Sequence, residues 1–171
     1  MTVKLSKKVC LLGDFAVGKT SLVRRFVYNR FDDKYISTIG VKVSRKTVAV
    51  PRDDEIVELT MMLWDLAGSE EFNRVRASYL RGLSGAILVC DLTRSKTLEN
   101  LTAYTHDLRD IDPAAKIIIA ANKGDLLKQH QITRTQVEET ANKLDAVFYV
   151  TSAQTGGEVE NLFRHLGRLL V

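Results

Sequence analysis

The segment from Gly13 to Thr20, GDFAVGKT, combines two glycines, a lysine and a hydroxyl at a spacing that suits phosphate binding. Glycines let backbone N–H groups wrap a phosphate, Lys19 adds positive charge at the β- and γ-phosphates, and the Thr20 hydroxyl is a ligand for Mg²⁺. The segment lies between an apolar run and a stretch with helical spacing, as this chemistry requires. The alternative, an accidental glycine turn, does not account for that context. We therefore expect a nucleoside-phosphate site.

A second motif, NKGD at residues 122–125, indicates which base the nucleotide carries. The Asp125 carboxylate can accept hydrogen bonds from the N1–H and the exocyclic amino group of guanine, and adenine offers neither donor in that pattern. The segment 151–153, TSA, can present a backbone N–H to the guanine O6. By itself NKGD could be a polar turn, but its position behind the phosphate loop favours guanine recognition.

Two further segments supply candidate metal ligands. Asp65, in WDLAG at residues 64–68, stands where a carboxylate would hold Mg²⁺ through water, although alone it could be a helix cap. Gly68 can offer its N–H to a γ-phosphate. The Thr38 hydroxyl, in a polar loop, could complete the Mg²⁺ shell only when a third phosphate is present.

Apolar runs that alternate with helical patterns surround these motifs, which predicts an α/β fold with a mainly parallel sheet and helices on both faces. The runs with strand character are Val9–Leu12, Val41–Val50, Ile56–Leu63, Ala86–Cys90, Ile117–Ala121 and Ala146–Val150. The second and third are expected to form an antiparallel edge hairpin whose turn is Pro51–Glu55. In such sheets ligands bind at the carboxyl ends of the strands, where the motifs lie.

Three segments show helical spacing of apolar residues. They are Thr20–Tyr28, a stretch through Leu98, Leu101, Tyr104 and Leu108, and a closing helix whose apolar face is Val159, Leu162, Phe163, Leu166, Leu169 and Leu170.

Composition excludes several classes of protein. With 171 residues, 45% of them hydrophobic and 27% charged, the chain matches an ordinary globular domain rather than a disordered segment. The net charge of +4 comes from dispersed basic residues, so we expect no nucleic-acid partner. Cys10 and Cys90 lie in apolar runs and favour a reducing compartment. We find no signal peptide and no stretch long enough for a membrane span, so a cytoplasmic protein is expected.

The motifs GDFAVGKTS, STIGV, WDLAG, YLRG, ILVCDLT, NKGD and TSA, in this order, resemble the G domain of the Ras superfamily of small GTPases. The segments Ser37–Val41 and Tyr79–Thr93 are most similar to the Rab branch. The resemblance implies one P-loop NTPase G domain over residues 1–171, with a six-stranded sheet and five helices. It also implies GTP and GDP as ligands, Mg²⁺ as cofactor, and two switch segments, Asp32–Gly40 and Leu66–Tyr79.

The resemblance also assigns roles to residues. Phe31 is placed against the edge of the guanine ring, with a core-capping role as the alternative; Lys123 lies along the base and Tyr35 near the phosphates. The residues expected at the nucleotide are Asp14, Phe15, Ala16, Val17, Gly18, Lys19, Thr20, Ser21, Phe31, Tyr35, Thr38, Gly68, Asn122, Lys123, Asp125, Ser152, Ala153 and Gln154. Metal ligation is expected from Thr20, Thr38 and Asp65, and catalysis from Lys19, Thr38, Gly68 and Ser69.

Departures from the family pattern bear on catalysis. Ser69 replaces the usual glutamine that orients the attacking water, and it is too short to hold that water in the same place. Phe15 and Ala16 stand where the family has small residues, often glycine, and a phenyl ring there would crowd an arginine from an activating partner. Gln154 replaces the lysine that commonly follows TSA, which weakens support of the base loop. We therefore expect slow hydrolysis.

Three functional readings follow. The first is a GTP-dependent molecular switch with weak intrinsic GTPase activity, which meets effectors, exchange factors and activating proteins through its switch segments, in signalling or vesicle traffic. The second is a non-catalytic scaffold that stays bound to GTP and is regulated by exchange or abundance. The third is an ATP-using P-loop kinase.

The sequence ends at Val171, within the closing helix and without a cysteine nearby. Rab-like proteins reach membranes through a prenylated tail, so no membrane anchor is expected within these residues. A peripheral position at the cytosolic face of a membrane would require a tail that follows them.

Overall fold

The computed structural model describes residues 2–32, 40–68 and 73–171, except for the side chains of 73–75. The strands are β1 (Val3–Leu12), β2 (Val41–Arg52), β3 (Glu55–Leu66), β4 (Gly85–Asp91), β5 (Lys116–Asn122) and β6 (Val147–Val150). The helices are α1 (Lys19–Tyr28), α2 (Asn73–Leu80), α3 (Ser95–Glu99), α4 (Leu101–Ile111), α5 (Arg134–Lys143) and α6 (Val159–Leu170). A short 3₁₀ turn covers Leu127–Gln129.

The six strands form one sheet in the order β2-β3-β1-β4-β5-β6. Every neighbouring pair is parallel except β2 with β3, which pair antiparallel along their whole length. The predicted fold class is confirmed: a mostly parallel sheet with one antiparallel edge strand and helices on both faces. Because the parallel strands share a direction, their carboxyl ends bring the loops that follow them to one edge of the sheet.

Two apolar cores lie on the two faces of the sheet. One joins the sheet to α1 and α6, where the rings of Phe26 and Phe163 stack with centroids 4.0 Å apart. The other joins it to α3, α4 and α5 and contains both cysteines, which are buried free thiols. The central strands β4 and β5 are buried on both faces, which explains their unbroken runs of apolar residues.

The hairpin differs from its predicted form. Its turn consists of Asp53 and Asp54 alone, because Pro51, Arg52 and Glu55 belong to the paired strands. Pro51 fits there since β2 is an edge strand, and Asp53 adopts the left-handed conformation that tight turns need.

Two helical predictions were also wrong. The helical run through Leu98 and Leu108 is divided at Asn100 into α3 and α4, so the described residues form six α-helices rather than five. Asparagine favours helix ends over helix interiors. In α6, Leu169 lies beside the buried stripe and is 36% exposed, and Gly167 takes the buried position against Met61 instead.

Among the described residues, no helix has the length and apolar character needed to cross a membrane.

Candidate nucleotide-binding site

A cavity of about 280 Å³ opens where the loops after β1, β3, β5 and β6 meet. It is lined by Phe15, Ala16, Gly18, Lys19, Thr20, Ser21, Phe31, Asp32, Leu66, Gly68, Asn122, Lys123, Asp125, Leu126, Ala153 and Gln154. Both predicted motifs, the phosphate loop and NKGD, therefore face one space.

The phosphate loop wraps around the ammonium group of Lys19. Its Nζ donates to the carbonyl oxygens of Gly13, at 2.9 Å, and Asp14, at 3.0 Å. Burial of the side chain lowers the pKa of Lys19 to about 8, although the nearby Asp65 carboxylate opposes this shift. An anionic ligand beside this buried ammonium group would stabilise its charged form and raise the pKa of Lys19 again.

Two glycines permit close approaches around the loop. Gly18 has φ +105°, and a Cβ there would stand 2.2 Å from Nδ2 of Asn122. A Cβ on Gly68 would stand 2.5 Å from the backbone nitrogen of Phe15. Larger residues at either position would collide with the site itself.

Side chains outside the motif hold the phosphate loop. Asn100 and Tyr104 donate to the two carboxylate oxygens of Asp14, at 2.6 and 2.8 Å. Asp14 was predicted to contact the nucleotide, but its carboxylate is turned to these partners, so only its backbone is left to face a phosphate. Asn122 donates to the carbonyl of Val17, at 3.0 Å, and fixes the loop from the base side.

Arg94 holds the loop at a third point. Its guanidinium donates from NH2 to the Phe15 carbonyl, at 2.7 Å, and from Nε to Asp91, at 3.0 Å. The next residue, Ala16, has φ +64°, a left-handed conformation that is uncommon for alanine. Because the bonds to Phe15 and Val17 flank Ala16, they stabilise this strained peptide.

Thr20 and Asp65 bring a hydroxyl and a carboxylate together, since Thr20 Oγ1 donates a short hydrogen bond to Asp65 Oδ2. Hydroxyl and carboxylate oxygens are the ligands that Mg²⁺ prefers, so these two residues fit the predicted metal. Thr38, the third predicted ligand, lies outside the described residues, as do Tyr35 and Ser69.

The base side of the cavity is built from two adjoining loops. The Ser152 hydroxyl donates to Asp125 Oδ1, at 2.8 Å, and so orients the predicted base-reading carboxylate. Gly124 N donates to the Thr151 carbonyl, at 2.9 Å, and the Thr151 hydroxyl donates to Asn122 Oδ1, at 3.1 Å. These bonds lock NKGD to the segment after β6.

Lys123 reaches a buried carboxylate at the end of β4. Its Nζ lies 2.8 Å from Oδ2 of Asp91, a fully buried residue that also accepts bonds from Thr93 and Arg94. Burial raises the pKa of Asp91, but the hydrogen bonds from Lys123, Thr93 and Arg94 outweigh it and hold that pKa below its ordinary value. Asp91 thus joins the phosphate loop to the base loop.

Of the predicted site residues that the structure describes, all but four line the cavity. Those four are Asp14, Val17, Asp65 and Ser152. Phe31 lines the cavity and also packs against the core beneath α1, so its position is compatible with both predicted roles, and its contact with guanine stays a prediction.

Several supporting residues were missed from the sequence. Asp91 stands at the carboxyl end of a strand, a position that could have drawn attention to it. The segment after β4 supplies Arg94, Asn100 and Tyr104, and no sequence motif marks these positions. Helix α1 supplies Arg25, which donates to the carbonyl of Ala153 and is likewise outside any motif.

The family comparison agrees with this geometry. A model of the Ras family matches residues 8–171, which is nearly the whole chain and includes every motif described above. Members of this family are small GTPase switches that bind guanine nucleotides and Mg²⁺. The matched residues include both the phosphate loop and the NKGD motif, together with most of the six-stranded sheet. The chain therefore belongs to the Ras family of small GTPases.

Proposed function

We propose that this chain is a Rab-like GTP/GDP switch that hydrolyses GTP slowly. The observation that carries the proposal is the single cavity shared by Lys19 of the phosphate loop and Asp125 of the base loop. A ligand that satisfies both must carry phosphates at one end and a guanine-like donor edge at the other.

Mg²⁺ would be held by Thr20 and Asp65, with Thr38 as the third protein ligand. When bound, the ion neutralises phosphate charge. The chain's own contribution is to orient the phosphates through Lys19 and the backbone amides of the phosphate loop. The Gly68 amide would recognise a γ-phosphate, and the close packing of Gly68 against the phosphate loop supports this role.

Slow hydrolysis follows from two residues. Phosphoryl transfer depends on positioning and charge stabilisation, and a misplacement of about 1 Å costs on the order of a hundredfold in rate. Ser69 lacks the reach to orient a water molecule as a glutamine does. Phe15 lies at the mouth of the cavity with 51% of its surface exposed, where it obstructs an arginine supplied by an activating protein.

The Rab-like assignment rests on the sequence segments Ser37–Val41 and Tyr79–Thr93. The proposed role as a switch is supported by an apolar surface on the hairpin between the two proposed switch segments. Val43 is 44% exposed, and Trp64 is partly exposed with its ring centroid 6.4 Å from that of Tyr79. Such a surface beside the switches suits effector proteins, which would bind when GTP orders those segments. We place this activity in the cytoplasm or at the cytosolic face of a membrane.

The second candidate is a scaffold that stays bound to GTP without turnover. The same two residues, Ser69 and Phe15, favour it, because they weaken intrinsic and partner-assisted hydrolysis together. Exchange or protein abundance would then set its signal.

Nucleotide analysis of the purified protein, followed by single-turnover hydrolysis, tests both candidates. We expect GDP in the preparation and slow turnover. Ser69→Gln should raise the rate on the order of tenfold to a hundredfold, and more with Phe15→Gly added. Fast wild-type turnover would overturn the slow-switch proposal, and persistent GTP with no gain in either variant would favour the scaffold. Competition between ATP and GTP excludes the kinase reading if only GTP binds.

A further inference from the structure

The Arg25 side chain donates two hydrogen bonds to the loop that follows β6. From the middle of α1, its Nε donates to the carbonyl of Ala153, at 2.8 Å, and its NH2 donates to the carbonyl of Gln154, at 2.5 Å. NH1 donates to Oδ1 of Asn29, at 3.3 Å, which steadies the guanidinium. The planar fork of an arginine can hold two carbonyls at fixed angles, which a lysine cannot do.

The hydrogen bond from Arg25 to the Ala153 carbonyl determines where the backbone amide of Gln154 points. In a trans peptide the C=O and the following N–H point in opposite directions, so a carbonyl of Ala153 aimed at Arg25 sends the Gln154 N–H the other way. Ala153 and Gln154 line the cavity and Arg25 does not. The Gln154 amide is therefore directed into the cavity.

The hydrogen bonds of this loop agree with that direction. The N–H groups of Ser152, Thr155 and Gly156 all donate within the loop. In the part of the chain that the structure describes, those of Ala153 and Gln154 donate to no other residue. Two adjacent donors kept open beside a base-binding cavity suit an acceptor on the ligand.

We propose that Arg25 is a positioning residue for guanine selectivity, which fixes the Gln154 amide toward the O6 of the base. The inference rests on the proposed guanine nucleotide. Guanine carries a carbonyl acceptor at this position, whereas adenine carries an amino group, which would meet the amide donor-to-donor. Arg25 thereby supports the loop after β6, whose support the replacement of the usual lysine by Gln154 was expected to weaken.

Affinities for GDP, IDP and ADP test the proposal. IDP keeps the O6 but lacks the exocyclic amino group that Asp125 reads, so it separates the two recognition elements. In Arg25→Ala we expect GDP and IDP affinities to fall by the same factor, about threefold to tenfold, because the bond lost between the Gln154 amide and O6 joins two uncharged groups. Because ADP binding does not use the amide, the preference for GDP over ADP should fall by that factor too.

Three further variants complete the test. Asp125→Ala should instead lower the preference for GDP over IDP. Arg25→Lys should restore part of the GDP-over-ADP preference, and Arg164→Ala, which removes a surface arginine from an ion pair on α6, should match the wild type. Circular dichroism checks that each variant is folded.

Equal losses of GDP and ADP affinity in folded Arg25→Ala would show a merely structural role and overturn the inference, as would unchanged selectivity. If the wild-type protein itself shows no preference for GDP over ADP, the proposed function falls and this inference falls with it.

Discussion

Gly18 offers the sharpest test of how the phosphate loop and the base loop are packed. It has φ +105°, and a Cβ at this position would stand 2.2 Å from Nδ2 of Asn122. Real Cβ atoms do not approach so closely, so Gly18→Ala forces Asn122 to move. Its hydrogen bond to the Val17 carbonyl, at 3.0 Å and buried, is then lost.

The expected cost has two parts. An alanine in a left-handed conformation costs about 1–2 kcal/mol. Loss of a buried hydrogen bond that leaves its acceptor unsatisfied costs about 1–3 kcal/mol more. The sum, about 2–5 kcal/mol, corresponds to a fall of roughly 10 °C in the thermal midpoint of a domain of this size.

Gly82 is the matched control, because it has φ +77° and nothing lies within 4 Å of the position its Cβ would take. Gly82→Ala should therefore show strain alone and lower the midpoint by roughly 4 °C. Both variants are unfolded in urea and by heat after bound nucleotide has been removed. The double variant Gly18→Ala/Asn122→Ala should be about 2 kcal/mol more stable than the sum of the two single costs predicts, since the collision between the two side chains disappears.

The proposed contact between position 18 and Asn122 is refuted if Gly18→Ala and Gly82→Ala lower the free energy of unfolding by the same amount. It is also refuted if the cost of Gly18→Ala is unchanged when Asn122 is already alanine, because the contact with that side chain is then not the cause.

Three other changes probe the buried charges of the site. Asp91→Asn should lower the free energy of unfolding by about 1–3 kcal/mol at pH 7, because the buried carboxylate loses its charge-assisted bonds from Lys123 and Arg94. Since hydrogen bonds hold the folded-state pKa of Asp91 below its ordinary value, the difference from wild type should shrink in urea titrations as the pH falls below about 4. Lys19 has a pKa of about 8 in the nucleotide-free protein, so its charged fraction and the GDP affinity should both fall about tenfold between pH 7 and pH 9. The GMP affinity, measured in the same buffers, should fall less because GMP lacks the β-phosphate. Tyr104→Phe should cost about 1 kcal/mol in the same unfolding assay, since Asp14 keeps its bond from Asn100.

The fold was largely predictable because its signals are local. Strands such as β4 and β5 are buried on both faces and therefore read as unbroken apolar runs, and β3 alternates because only one of its faces meets the core beneath α1 and α6. The hairpin turn was misjudged because a proline in an edge strand resembles a turn residue in sequence. Leu169 was misplaced because two adjacent leucines at a helix end leave the position of the buried stripe open.

The site residues likewise divide into those with local sequence signals and those without. Residues that would touch the ligand come in short motifs with fixed spacing, so the phosphate loop and NKGD were found from the sequence. Residues that hold those motifs are chosen by three-dimensional proximity: Arg25 acts over 128 residues of sequence on Ala153, and Tyr104 over 90 on Asp14. No spacing rule links such pairs, and Arg94 escaped notice for the same reason.

The tethers on the phosphate loop bear on how quickly nucleotide is captured. Asp14, Phe15 and Val17 are held by side chains from the segment after β4 and from the end of β5, so the loop loses its conformational freedom when the protein folds rather than when a ligand arrives. A phosphate tail thus meets a receptor that is already shaped, and the encounter need not wait for the loop to order itself. Capture should therefore be fast and similar for di- and triphosphates, and discrimination between them is left to the rate at which each one departs.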